Sequence, residues 1–358
     1  MKQKYVYNFK GQNLYIGIDV HLNSWTYTII AESGFQETRC GNASAKELYK
    51  YLCNHYEGAN YLATYESGFS GFSTYYALEE LGIRCLVTHA ADVPTTQGEK
   101  VKKTDKVDSV KLAKSLKSGL LSGIYVHEKD NLDARAIVRL RSTFVKELSR
   151  YKSRVKHQLY NNGVQYPETF QKSGTHWSQR FMSWLKKDVV LISSTRDSLD
   201  FLLEKVDIAR KDLLRITRKV RELSRSERYT VDFENLRSIH GIGLITAMTI
   251  LTEIDNINRF RNEKEFASYL GLIPISHSSG EKQCDGEKTF RGNKQIGPML
   301  IEASWIIIRY DRAMALAYGE FRQRMERQKA IVKIARKLSN RIFFTLRHKV
   351  KYKYDKRV

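Results

Sequence analysis

No stretch of this chain approaches the roughly 18 uninterrupted apolar residues that a membrane-spanning helix needs, so no such helix is expected. The opening Met1-Lys-Gln-Lys-Tyr5 has no apolar run behind it, so no signal peptide is expected and the chain reads as cytoplasmic. Cysteine is scarce. The four present, Cys40, Cys53, Cys85 and Cys284, are scattered without CxxC spacing, which argues against a zinc site or a disulfide framework and leaves reduced, buried thiols as the expectation. Acidic residues are short as well: 39 Asp and Glu stand against 61 Lys and Arg, a formal net charge of +22. Such an imbalance points to a polyanionic partner, because each phosphate contact releases a counterion.

What is present suffices for packed cores. Hydrophobic residues make up 42% of the 358, which excludes a disordered polyelectrolyte, and the length calls for two or three domains. Leu14–Val20, Trp25–Ala31, Tyr61–Tyr65 and Cys85–Thr88 read as strands, and Ala45–His55, Ser73–Leu81 and Asp105–Leu116 as helices. Alternation of this kind predicts a layered α/β domain over residues 11–128. Further on, apolar residues recur every three or four positions, from Ile137, Leu140 and Phe144 to Leu159, and again from Leu199, Leu202 and Val206 to Leu223. The pattern predicts two long helices over 129–230, an α-helical coiled coil that braces its neighbours or recruits a second subunit. A compact helical region over 231–320 and a basic tail over 321–358 complete the chain.

Four carboxylates stand out in the first third: Asp19 closes one strand, Glu66 closes another, and Asp105 and Asp108 lie three apart at a helix start. Taken singly, each is an ordinary cap or surface acid. Taken together they match the layout of an RNase H-like domain, and so many like charges in one place need cations to neutralise them. Hard oxygen ligands suit magnesium, with manganese as its substitute, and two such ions can clamp a phosphodiester.

Downstream, Pro274-Ile-Ser-His-Ser278-Ser279-Gly280 offers a hydroxyl nucleophile on a predicted loop, with Lys282, Arg291 and Lys294 near in sequence. Ser-Ser-Gly is by itself an ordinary turn. The segment His240-Gly241-Ile-Gly243 resembles a hairpin between short helices that lays backbone amides on phosphates, although a plain helix–helix turn reads nearly as well. Lys102 and Lys103 precede the paired aspartates, and Lys333, Arg336, Lys337 and Arg341 lie on a basic helix near the end. The last stretch interleaves basic and aromatic residues, a composition that tracks a backbone while rings stack on bases.

In order along the chain, Gly-Ile-Asp19-Val-His, Tyr-Glu66-Ser-Gly, Lys-Thr-Asp105-Lys-Val-Asp108, His-Gly-Ile-Gly243, Tyr-Leu-Gly-Leu-Ile-Pro274 and His-Ser-Ser-Gly280 resemble the DEDD insertion-sequence transposases. These are bridge-RNA-guided DNA recombinases related to the Piv invertase. The resemblance implies a RuvC-like N-terminal domain, a coiled-coil middle and a small α-helical C-terminal domain. It implies magnesium on Asp19, Glu66, Asp105 and Asp108, and Ser279 as nucleophile with Ser278 as the fallback. Its implied partners are donor and target DNA, a structured non-coding guide RNA, and further copies of the chain in a dimer or tetramer. Two positions depart from the pattern. Leu22 stands where many members have a lysine, and Gly292-Asn293 is followed by Lys294, Gly297 and Pro298 where an arginine is usual. A junction nuclease using metal-activated water and a non-catalytic nucleic-acid scaffold are the rival readings.

Overall fold

The computed structural model describes residues 8–95, 104–279, 282–288 and 292–353, with the backbone alone over 274–279 and 282–288. The chain divides into two compact units, residues 1–126 and 127–358.

In the first unit, β1 (Asn13–Val20), β2 (Ser24–Ala31), β3 (Gln36–Asn42), β4 (Asn60–Glu66) and β5 (Arg84–Thr88) form one mixed sheet. Their order is β3-β2-β1-β4-β5. The first three strands run antiparallel as a meander, while β4 and β5 join β1 in parallel. Helices α1 (Ala45–His55), α2 (Ser73–Glu79) and α3 (Asp105–Lys117) complete the unit. Strand alternation divides β1 between two faces. Leu14, Ile16 and Ile18 are fully buried in a core shared with Leu48 and Leu52 of α1 and Leu78 of α2. Tyr15, Gly17 and Asp19 alternate with them. On that second face, register sets Thr28 of β2 and Thr64 of β4 beside Gly17, a row of small residues.

Helix α3 lies against this row. A Cβ at Gly17 would meet the Ser109 carbonyl oxygen at 2.2 Å and the Ala113 nitrogen at 2.3 Å, so only glycine admits the helix. The Ser109 and Thr28 hydroxyls share a buried hydrogen bond of 2.9 Å, and Lys117 Nζ donates to the Ala31 carbonyl at 2.8 Å. Thr104 caps the helix by accepting from the Val107 amide. The edge strand β3 was not foreseen, because Gln36-Glu-Thr-Arg-Cys-Gly-Asn42 lacks apolar alternation. Cys40 on it is exposed, where a buried thiol was expected.

Within the second unit, α4 (Lys129–Asn161) and α6 (Ser193–Ser224) run antiparallel along each other. Gln158 near the end of α4 donates to the Thr195 carbonyl at the start of α6, and Arg141 donates to Thr217 towards the opposite end. Their distal halves enclose Leu148, Val155, Leu159, Leu199, Leu203 and Val206, joined by Phe181 and Leu185 of the intervening α5 (Gln179–Lys187). The buried positions shift from the expected pattern: Val138 is in the core while Leu140 is 41% exposed, and Leu203 is more deeply buried than Leu202.

The proximal ends enter a second core built by α7 (Glu227–Arg237), α8 (Leu244–Ile254), α9 (Glu263–Tyr269), α10 (Ile296–Tyr310), α11 (Arg312–Arg324) and α12 (Arg327–His348). The region is not purely helical. β6 (Pro274–Ser279) and β7 (Lys282–Lys288) pair as an antiparallel hairpin between α9 and α10. Much of the stretch expected to be a tail is also packed: α12 buries Ile331, Ile334, Leu338, Ile342 and Leu346.

Candidate active site

The parallel register between β1 and β4 ends at the pair Ile18 and Tyr65. The next residue on each strand is a carboxylate, so Asp19 and Glu66 finish side by side at the carboxyl ends of adjacent parallel strands. Helix α3, held close by Gly17, adds Asp105 and Asp108 from its first turn. The structure sorts these four acids into two groups. Asp19 Oδ2 lies 3.3 Å from His21 Nε2, and Asp105 Oδ2 lies 3.5 Å from the same nitrogen. Lys111 Nζ lies 3.0 Å from Asp108 Oδ1 and 3.6 Å from Glu66 Oε1.

Electrostatics at the first group favour a cation. Partial burial pushes the Asp19 carboxyl above its ordinary value, and the charges of Asp105 and Asp108 add to the rise while His21 opposes it. A divalent ion would relieve that repulsion. Two carboxylates and an imidazole, each offering a ligand atom within 4.8 Å of the others, form a donor set that fits such an ion. At the second group, burial works against the Lys111 ammonium, but Asp108 and Glu66 outweigh it and hold its pKa above the ordinary value.

His21 and Lys111 were not singled out from the sequence. His21 could have been found from its place in Asp19-Val-His21, because the turn after β1 returns it beside its strand's last carboxylate. Lys111 could have been found from its i,i+3 spacing after Asp108 on the helix.

In the second unit, Ser278 and Ser279 lie on a strand where a loop was expected. Ser278 pairs with Gln283 and Ser279 with Lys282, so Ser279 is the last paired residue of β6. Gly280, Arg291, Lys102 and Lys103 lie outside the described residues. The base of the hairpin is closed by a glycine contact: a Cβ at Gly292 would meet the Gly271 Cα at 2.3 Å.

Next to it, Asn293 donates through its amide side chain to Glu253 at 3.0 Å and to the Tyr269 hydroxyl at 2.9 Å. Its backbone nitrogen donates to the Tyr269 carbonyl at 2.7 Å. Its side-chain oxygen accepts from the Ile296 amide at the start of α10. Glu253 is 2% exposed and receives Arg135 at 2.8 Å and Arg139 at 2.6 Å from α4. Burial alone would raise its pKa, but the two guanidinium groups bring it down to about 2. This network also went unread in the sequence. Its signal is an acid inside the otherwise apolar Ile-Leu-Thr-Glu253-Ile, which must find a buried cation.

Residues 16–161 match the IS110 DEDD family model, described as Transposase. Residues 233–319 match a second model, described as Transposase IS116/IS110/IS902 family. Over these two separate stretches the chain is similar to the IS110 family of transposases. Among its relatives is the protein y4qE of Sinorhizobium fredii, named as a transposase, 26% identical over 298 residues, covering 81% of this chain and 71% of that one. Another is the transposase for insertion sequence element IS1533 of Leptospira borgpetersenii, 25% identical over 70% of this chain and 72% of its own. The protein y4rJ of Sinorhizobium fredii, again named as a transposase, is 23% identical over 91% of this chain and 89% of its own.

Transposases act on DNA, so the basic surfaces of this chain are candidate phosphate contacts. His240 stacks on Tyr310 at 4.6 Å between ring centroids. Gly241 has φ of 92°, and a Cβ there would meet the Ala303 carbonyl oxygen at 2.6 Å, so it serves the packing of its turn against α10. Gly243 caps α8 and leaves that helix's first amides at the turn. Lys294 is exposed. On α12, Lys337 and Arg341 are exposed, Lys333 and Arg336 partly so, and the first two line a groove of about 540 Å³ with Asn340, Phe344 and His348. Among the described residues, no helix is long and apolar enough to cross a membrane.

Proposed function

We propose that this transposase breaks and rejoins the DNA of its insertion sequence with magnesium, or manganese in its place, held by Asp19, Glu66, Asp105 and Asp108, and with Ser279 as the nucleophile. The observation that carries the reading is the gathering of four carboxylates from β1, β4 and α3 around His21 and Lys111. The sheet order, with an antiparallel meander followed by two parallel strands, supports an RNase H-like fold for the first unit.

A divalent ion held by the carboxylates would supply Lewis acidity towards a scissile phosphate. The residues of the chain do the rest. Asp19, Asp105 and His21 would hold such an ion, and Lys111 fixes Asp108 and Glu66. The Ser279 Oγ–phosphorus bond forms as a deoxyribose oxygen leaves, so the phosphodiester energy is kept in the serine ester. Attack by the oxygen of a new strand end releases the serine and completes the exchange.

A structured non-coding RNA as guide, and a dimer or tetramer as the working form, follow from the resemblance of the motifs to bridge-RNA-guided recombinases. The net charge of +22 supports a polyanionic partner. Leu140, Phe201, Ile208 and Leu214, exposed on α4 and α6, support association through the long helix pair.

The test uses the protein purified with its co-expressed RNA and given junction DNA, with and without magnesium, on a denaturing gel. A covalent protein–DNA adduct that is lost in Ser279→Ala and retained in Ser278→Ala is expected. Cleavage without any adduct would instead make the protein a junction nuclease using metal-activated water, and binding without cleavage would make it a scaffold.

A further inference from the structure

We infer that Lys111 is a built-in cation occupying one of two carboxylate-lined positions, so that each chain takes a single divalent ion, at Asp19, Asp105 and His21. The inference rests on the metal reading proposed above and narrows it, leaving Asp108 and Glu66 to Lys111 and the ion to the other pair. Two-ion phosphoryl-transfer sites place their ions about 4 Å apart, each between carboxylates. Here the four carboxylates are already divided into two pairs. One pair has only an imidazole between its oxygens, and a neutral imidazole is itself a metal ligand. The other pair has an ammonium.

Lys111 is no loose surface lysine. Its side chain is 10% exposed, against 60% for Asp105 in the other pair. It projects from the middle of α3, one turn on from Asp108, in a helix pinned by the Gly17 contact and the Ser109–Thr28 hydrogen bond. A magnesium ion on Asp108 Oδ1 would sit about 2.1 Å from that oxygen. It would share the oxygen with an ammonium 3.0 Å away, so like charges would meet in a half-buried site. The ammonium already fills the space between Asp108 and Glu66 and offsets one of their two charges, so a second ion would have to displace it to gain both carboxylates. At Asp19 and Asp105 no ammonium stands between the carboxylates, and there an ion has a reason to bind.

The experiment titrates manganese alone into the full-length protein and counts bound ions from the electron paramagnetic resonance of free manganese. One ion per chain is expected in the wild type and in Lys111→Arg, and two in Lys111→Gln, whose fold is checked by circular dichroism. Two ions in the wild type would overturn the inference while leaving the metal reading intact, and that count decides the matter even where Lys111→Gln fails to fold. One ion in a folded Lys111→Gln would also overturn it. No ion in the wild type would remove the metal reading and the inference with it.

Discussion

Gly17 and Ser109 are in such close contact that a methyl group on the first would lie 2.2 Å from the carbonyl oxygen of the second. That contact sets the distance between β1 and α3. It therefore sets the spacing between Asp19 and the aspartates of the helix.

Gly17→Ala should push α3 off the sheet. Overpacking of this kind costs about 1–3 kcal/mol, and the neighbours here are backbone atoms that cannot rotate away. A lower urea midpoint is expected, together with weakened manganese binding. Wild-type manganese affinity in the variant would show that the glycine does not set the site.

Glu253→Gln leaves Arg135 and Arg139 without their buried partner. Breaking a buried ion pair from one side costs about 3–5 kcal/mol. The variant should unfold at lower urea. It should also lower adduct yield at temperatures where it remains folded, because Asn293 at the base of the serine hairpin must compete with the two arginines for the one oxygen that glutamine keeps. An unchanged yield in folded protein would confine the network to stability.

Acid should destabilise the second unit in two stages. Burial, with Arg135 and Arg259 nearby, lowers the His127 pKa from 6.5 to about 4. The unfolded chain therefore takes up a proton that the folded one refuses, and stability falls as pH drops from 6.5 towards 4. The Glu253 pKa is lowered from 4.5 to about 2, so its contribution, complete above 4.5, is lost as pH falls through that window. His127→Gln should flatten the upper limb of a stability–pH curve and spare the lower one. A curve flat from pH 7 to 4 in the wild type would contradict the first assignment.

Lys337→Ala and Arg341→Ala should weaken DNA binding without changing the fold, since both side chains stand on the exposed face of α12. If each contacts a phosphate, the slope of log affinity against log salt should fall by roughly 1 per residue. Affinity measured across a salt series checks this, and an unchanged slope would place the DNA elsewhere.

The local content of the chain was legible from its letters. Short apolar and β-branched runs marked β1, β2, β4 and β5, and three-four spacing marked the two long helices. The four carboxylates could be named because each closes or opens such an element. β3 escaped because an edge strand with two partly wet faces carries no apolar rhythm. The β6–β7 hairpin escaped because Ser-His-Ser-Ser has the composition of a turn, and only pairing with a second strand makes it extended.

The sequence alone determined which elements form and which carboxylates stand at their ends, because propensity and periodicity act over a few residues. Tertiary structure decided the pairings. It matched Asp19 with Asp105 across His21, and Asp108 with Glu66 across Lys111. It also closed Glu253 against two arginines more than a hundred residues away. Those choices depend on strand register and on how closely α3 approaches Gly17. Both are properties of packed backbones, which no local pattern of side chains encodes.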